Sequence, residues 1–143
     1  PEGRELFEIW ATAGCAGCLN DREDAHDMII RQRGTVRFTG AAASVVGAAG
    51  FAGFSSAKQG LRAVAQSMAR ELGPQNIHVA HVIIDAAVDT QWIRDNFPDY
   101  EQRKKVDGIV NPSDLAANYV TLHDQPRNAW TFELDIRPWE EKW

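Results

Sequence analysis

Apolar residues in the first quarter of the chain recur at the spacing of an α-helix. Between residues 5 and 32 they fall three or four positions apart, and they are Leu6, Ile9, Trp10, Ala13, Ala16, Gly17, Ala25, Met28 and Ile29. The polar residues 19–24 interrupt this pattern, and we expect a kink there. Gly34 follows Arg31 and Arg33, a combination that is typical of a helix end. The pattern predicts a long amphipathic helix over residues 5–32.

A second helical stripe follows a glycine-rich loop, which covers residues 40–53. It predicts a helix over residues 54–72, and its apolar positions are Leu61, Val64, Ala65, Met68 and Leu72. Two strands are predicted on either side of this helix. Residues 35–39 are rich in β-branched side chains, and residues 77–84 are almost entirely apolar, as is typical of a strand buried on both faces.

The remainder of the chain repeats the alternation of helix and strand. Residues 91–107 are polar and predict a short irregular helix, residues 111–122 predict a regular one, and residues 130–136 alternate like a strand. Strands separated by helices pair in parallel through right-handed crossovers. We therefore predict an α/β fold in one domain over residues 1–143: a partial Rossmann-like, doubly wound parallel sheet of about three strands and four helices.

Charge and composition narrow the classes of partner. The chain has 143 residues, a formal net charge of -5 and a pI near 5.3, which argues against binding to nucleic acid or to an acidic membrane surface. Its longest weakly polar run, residues 41–54, is shorter than the roughly 20 residues that cross a bilayer. The first ten residues do not resemble a secretory signal, so we expect a cytoplasmic location.

Cys15 and Cys18 form a CxxC pair, which can indicate a redox or zinc site. Further metal ligands would have to come from scattered histidines, which are His26, His78, His81 and His123. Three-residue spacing also places two cysteines on one face of a helix, where each acts as a small apolar side chain. We favour this second interpretation and predict no metal site.

The stretch FSSAK at residues 54–58, read with its surroundings, resembles the short-chain dehydrogenase/reductase family. Residues 33–90 are similar to that family's fifth strand, catalytic loop, catalytic helix and sixth strand. Residues 111–143 are similar to its last helix and seventh strand. The resemblance thus implies the C-terminal half of the family's fold, without the N-terminal nucleotide-binding half and its glycine-rich phosphate loop.

The same resemblance implies a degenerate catalytic site. In the family, an asparagine, a serine, a tyrosine and a lysine cooperate, with tyrosine as the general acid/base. An ungapped alignment places Ala13, Ala41, Phe54 and Lys58 at these four positions, in that order. Three of the four positions have therefore lost their polar atoms. The nearby hydroxyls are weaker acids than a phenol beside a lysine, and they belong to Ser44, Ser55 and Ser56.

Thr90 keeps the position of the threonine that contacts the nicotinamide carboxamide in the family, whereas Asp85-Ala86 replaces the usual Pro-Gly turn. Lys58 and Thr90 are the two family site residues retained. Each also has a purely structural explanation, as an exposed lysine in the first turn of a helix and as a helix-capping threonine. We expect no bound cofactor, with NAD(P) at Lys58 and Thr90 as the alternative.

Three functions remain open. The first is a truncated member of the family without dehydrogenase activity, which acts as a self-associating structural or interaction module. The second is an NAD(P)-dependent oxidoreductase fragment that a separate N-terminal half completes. The third is a protein that binds a small apolar ligand between the catalytic loop and residues 91–107. Strand 35–39 would leave an open sheet edge, and the family dimerises through its two long helices, so we expect a homo-oligomer through helices 5–32 and 54–72.

Overall fold

The computed structural model describes residues 3–15 and 25–141. Its helices are α1 (Gly3–Trp10), α2 (25–31), α3 (Ala52–Leu72), α4 (Gln91–Asn96), α5 (Tyr100–Lys105) and α6 (Pro112–Asp124). Its strands are β1 (Gly34–Ala41), β2 (Ile77–Ile84) and β3 (Glu133–Ile136). Short 3₁₀ turns cover Ala42–Ser44, Gly73–Gln75 and Arg127–Ala129.

The three strands form one parallel sheet in the order β1-β2-β3. Gly34 pairs with Ile77 at one end of the β1–β2 ladder, and His81 pairs with Glu133 between β2 and β3. β2 is central and is buried along nearly its whole length. The predicted α/β fold with a partial, parallel, Rossmann-like sheet is confirmed.

Each face of the sheet is covered by helices. One core lies between the sheet and α2 and α3, and it is built from Ala25, Val36, Phe38, Leu61, Ala65, Leu72, Ile77 and Val79. The other lies under α6, and it is built from Ala80, Val82 and Leu122. Because side chains alternate along a strand, β2 contributes Val79 to one core and Ala80 to the other.

The predicted N-terminal helix is interrupted earlier than its polar residues suggest. α1 passes into a single π-helical turn at Ala11–Cys15, where the Thr12 hydroxyl donates to the carbonyl oxygens of Glu8 (2.9 Å) and Ile9 (3.3 Å). Such back-bonding bends helices. The kink predicted at residues 19–24 lies outside the described residues.

Residues 91–107 hold two short helices instead of the one predicted. α4 ends before Phe97, and α5 begins after Asp99, whose φ of 59° is in the left-handed region. Pro98 lies between them and lacks the N–H that a continuous helix needs. Across the described part of the chain, no helix combines the length and apolarity that would allow it to cross a membrane.

Candidate functional site

A cleft lies at the carboxyl ends of β1 and β2, where the loops after these strands lead into α3 and α4. Its volume is about 620 Å³. Its walls are mainly apolar and include Ala41, Ala42, Ala43, Phe51, Phe54, Ile84, Trp92, Ile93 and Phe97. The carboxyl ends of parallel strands are where α/β folds bind small molecules. The cleft is therefore the candidate site.

The positions predicted to have lost two catalytic hydroxyls both border this cleft. Ala41 is the last residue of β1, and Phe54 lies in the first turn of α3, with 37% of its surface exposed. The methyl group of Ala41 cannot polarise a carbonyl, and the phenyl ring of Phe54 carries no proton that it could transfer. The structure thus brings these two positions together without a group for acid–base chemistry at either.

Lys58 lies one helical turn after Phe54 and is half-buried, not exposed as its structural explanation assumed. Its Nζ donates to the main-chain oxygen of Thr39 (3.2 Å) and lies 5.9 Å from the centroid of the Phe54 ring. Burial lowers the pKa of the Lys58 ammonium group. Lys58 therefore ties α3 to β1, and it does not line the cleft.

Thr90 caps a helix, as its structural explanation predicted. It is the N-cap residue of α4, and its hydroxyl oxygen accepts a hydrogen bond from the main-chain N–H of Ile93 (3.3 Å). It is not among the residues that line the cleft. The two retained family residues, Lys58 and Thr90, thus both have structural contacts.

The position predicted for the family's asparagine, Ala13, lies within the π-helical turn and is half-buried. This turn packs on α3, since a Cβ placed on Gly14 would lie 3.3 Å from the Ala57 carbonyl oxygen. Cys18 lies outside the described residues, so the interpretation of the cysteine pair stays a prediction. In residues 3–15 and 25–141, no group of histidine, cysteine or acidic side chains is arranged to hold a metal ion.

Of the three serines near the catalytic loop, Ser55 alone combines burial with an uncommitted hydroxyl. The Ser44 oxygen accepts from the N–H of Ala41 (3.1 Å), and the Ser56 hydroxyl donates to the Gly53 carbonyl (2.9 Å). Ser55 Oγ is buried, has no hydrogen-bond partner within the described part of the chain, and belongs to a residue that lines the cleft. The charged residues of the lining, Asp85, Arg103 and Glu141, are engaged in ion pairs, so Ser55 is a lining residue whose polar group is left for a ligand.

A partly buried polar network under α3 was not predicted from the sequence. Arg62 forms two hydrogen bonds with Glu133, Nε to Oε2 (2.5 Å) and Nη2 to Oε1 (2.9 Å). His81, which is fully buried, donates from Nδ1 to Glu133 Oε2 (3.0 Å). Burial lowers the pKa of His81, and the hydrogen bond from Arg62 lowers the pKa of Glu133. The available sequence signal was His81 within the mainly apolar strand β2.

The close packing around His81 requires a glycine at position 40. A Cβ placed on Gly40 would lie 2.3 Å from His81 Nε2 and 2.6 Å from Ser44 Oγ, closer than real carbon atoms approach. β1 therefore passes directly over the imidazole ring. His81 Nε2 has no hydrogen-bond partner among the residues described.

A second cluster holds α4 and α5 together beside the cleft. The carboxylate of Asp89 accepts from Arg94 Nε (2.7 Å) and the Tyr100 hydroxyl (2.8 Å), and it also accepts from Lys104 Nζ. The hydrogen bond from Arg94, followed by those from Lys104 and Tyr100, holds the pKa of Asp89 well below its ordinary value. Asp89 thereby fixes the helices that form one wall of the cleft.

Residues 18–101 match the family model for short chain dehydrogenases. The match covers more than half of the 143 residues. The chain belongs to the short-chain dehydrogenase family. This membership confirms the resemblance drawn from residues 54–58 and their surroundings.

Solved structures of short-chain dehydrogenases share the fold. A short-chain dehydrogenase from Rhodopseudomonas palustris is 44% identical, with a TM-score of 0.74, and the match covers 96% of this chain and 53% of that one. A family oxidoreductase from Burkholderia thailandensis is 24% identical (TM-score 0.77; 96% and 56%). A 4-hydroxyisoleucine dehydrogenase complexed with NADH is 19% identical (TM-score 0.79; 96% and 59%). A search of curated proteins gave no match.

This chain therefore spans little more than half the length of the short-chain dehydrogenases it matches. The family implies a nicotinamide dinucleotide, and the residues present fit it poorly. At the start of α3 the cleft is lined by Ala48, Phe51 and Phe54, which offer no donor to a phosphate. Lys58 and Thr90 already bond to the main chain. Arg103 also lines the cleft, but it is paired with Glu140 and Glu141, so the lining residues named here leave no unpaired cation for the charged half of such a cofactor.

Proposed function

We propose that this short-chain dehydrogenase chain does not carry out the family's oxidation–reduction reaction and acts as a self-associating structural or interaction module. The observation that carries the first part is Phe54. It borders the cleft at the general acid/base position and has no hydroxyl, while Ala41 lacks the second one. Loss of a positioned general acid typically removes about 10²–10⁴-fold of the rate.

Kinetics with NADH and NADPH test this proposal. We expect no oxidation of either nucleotide above background in the presence of small ketones and aldehydes. Turnover near the typical enzyme rate of about 10 s⁻¹ would overturn the proposal. The variant Phe54→Leu serves as the control, since a residual rate that this substitution leaves unchanged does not come from the position of the lost tyrosine.

The proposal of self-association is supported by apolar side chains on the outside of α1 and α3. Phe7 is 73% exposed, and Leu6, Trp10 and Val64 are exposed to a smaller extent. Clustered exposed apolar residues mark interaction surfaces. We propose a homo-oligomer through this surface, which belongs to the helices predicted over residues 5–32 and 54–72.

Measurement of the solution mass by light scattering tests the proposal of self-association. We expect a dimer or larger assembly whose mass is the same with and without NADH. A monomer would overturn the proposal of self-association. An assembly that tightens on addition of NADH would instead support the alternative, in which a separate N-terminal half completes an NAD(P) site.

A second candidate function is the binding of a small apolar ligand in the cleft. It is favoured by Ser55, whose buried hydroxyl has no partner within the described ranges and belongs to a residue in the lining of a mainly apolar cavity. A ligand with one hydrogen-bond acceptor would satisfy this hydroxyl. Thermal unfolding with a panel of apolar ketones tests the idea, because a ligand of the folded state raises the midpoint. We expect Ser55→Ala to reduce the shift, and no shift with any ketone would exclude this function.

A further inference from the structure

A second cavity lies at the opposite end of the sheet, where β1 and β2 begin and α6 ends. Its volume is about 270 Å³. We call it the basal pocket. The residues that line it include Arg33, Asn76, His78, His123, Arg127 and Trp130. It shares no lining residue with the apolar cleft.

The lining of the basal pocket is cationic and contains no carboxylate. Arg33 forms no ion pair or side-chain hydrogen bond with any residue of the described ranges, and Arg127 makes one long contact, from Nη2 to the Pro74 carbonyl oxygen (3.5 Å). Neither arginine thus has an acidic partner in the described part of the chain, although the net charge of the chain is -5. Guanidinium groups bind phosphate and carboxylate oxygens through paired hydrogen bonds.

The floor of the pocket is held rigidly. The rings of His78 and Trp130 stack with centroids 4.9 Å apart and an angle of 2° between their planes. His78 Nε2 donates to the Thr131 carbonyl (2.8 Å), and the Gln125 side chain bonds to both the hydroxyl (2.8 Å) and the N–H (2.7 Å) of Thr131. Trp130 Nε1 donates to the Gln125 carbonyl (3.2 Å). A site fixed in this way loses little freedom when a ligand binds.

The polar groups around this floor are only partly used. His78 Nδ1 is buried, has no partner among the described residues, and is the acceptor nitrogen of the tautomer in which Nε2–H donates to Thr131. His123 engages Nδ1 with the Thr35 hydroxyl (2.9 Å), and Asn76 uses Nδ2 once, toward the Gln32 carbonyl (2.7 Å). The second amide hydrogen of Asn76 and Nε2 of His123 are not used in these contacts. Asn76 and His123 thus add hydrogen-bond donors to the two arginines that line the pocket.

We propose that the basal pocket binds a phosphate group, carried either by inorganic phosphate or by a small phosphomonoester. The cavity is large enough for a phosphate with a few attached atoms and too small for a dinucleotide. Arg33 and Arg127 would hold the phosphate oxygens, and Asn76 and His123 would donate to the oxygens that remain. This site lies at the other end of the sheet from the family's catalytic positions and does not depend on the proposed function.

Titration with inorganic phosphate at constant ionic strength, followed by NMR, tests this site. We expect saturable shifts of the His78 and His123 imidazole resonances and no shift of exposed His26. Arg33→Gln and Arg127→Gln should each weaken binding by about fivefold or more. Arg4→Gln is the matched control, because Arg4 is 91% exposed on α1 and its loss changes the net charge equally.

A parallel titration with phenyl phosphate distinguishes the two sources of the phosphate group. Tighter binding of phenyl phosphate would indicate a phosphomonoester, and equal or weaker binding would indicate free phosphate. Equal weakening in Arg4→Gln and Arg33→Gln would show that only general charge attraction operates and would overturn the proposal, as would the absence of saturation. Thermal unfolding of each variant without phosphate checks folding, which we expect to be unchanged because neither arginine forms an ion pair in the described part of the chain.

Discussion

Single residues decide what chemistry the cleft can support. The ungapped alignment of the segment that ends at Lys58 predicted Phe54 and Ala41 as site positions, and both residues border the cleft. The partnership of His81 and Glu133 could not be assigned, since these residues are 52 positions apart and meet only because β3 pairs with β2 in one particular register. The available signal was a histidine within the mainly apolar strand β2.

Gly40 has no room for a side chain. We expect Gly40→Ala to lower the free energy of unfolding by about 1–3 kcal/mol, the usual cost of overpacking, because the new methyl group would meet His81 Nε2 and Ser44 Oγ. Chemical denaturation measures the loss. Gly47→Ala is the matched control, since nothing lies within 4 Å of its added Cβ. Equal stability of the two variants would contradict the close approach of β1 to His81.

The buried imidazole of His81 makes stability depend on pH. Its folded-state pKa is lowered from an ordinary value of 6.5, so below about pH 6.5 the unfolded state binds the proton more readily. Stability should therefore rise with pH up to this value and fall on acidification, by up to about 1.4 kcal/mol per pH unit for one proton. Unfolding measured from pH 7.5 to 5.0 tests this, and His81→Asn should have a shallower slope. Parallel slopes would exclude His81 as the source.

Secondary-structure elements were predicted well where a regular pattern of apolar residues extends over many positions. The pattern identified α3, α6, the three strands and their parallel pairing. It missed the division of residues 91–107 into α4 and α5, because the positive φ of Asp99 and the contacts of Asp89 depend on tertiary structure. It also missed the π-helical turn, which a single threonine hydroxyl accompanies.

Asp89 should stabilise α4 and α5 against local unfolding. We expect Asp89→Asn to accelerate amide hydrogen exchange severalfold across residues 91–105, because the amide cannot serve the three donors that the carboxylate accepts. Asp95→Asn is the control, since Asp95 contacts only the Gln91 side chain in the described part of the chain. Because the folded-state pKa of Asp89 is lowered, its contribution is complete above about pH 4 and is lost at lower pH.

At the scale of the whole molecule, the apolar surface of α1 and α3 should govern assembly. We expect Phe7→Glu to shift the solution mass toward the monomer, because a carboxylate in an apolar interface is costly to desolvate. Val120→Glu is the control, since Val120 is 58% exposed on α6, away from that surface. Light scattering at several concentrations measures the shift, and an identical response of the two variants would rule out α1 as the contact.

The parallel pairing of the three strands also sets how fast the chain can fold. Each strand pair joins segments separated by roughly 40–50 residues, and no hairpin is available to bring them together locally. The entropy of closing such long loops is lost before the pairing contacts form. α3 crosses from β1 to β2 and packs on both, so docking of this helix shortens the search for the remaining contacts. Substitutions of the α3 side chains that pack on β1 and β2 should therefore lower the refolding rate more than they raise the unfolding rate.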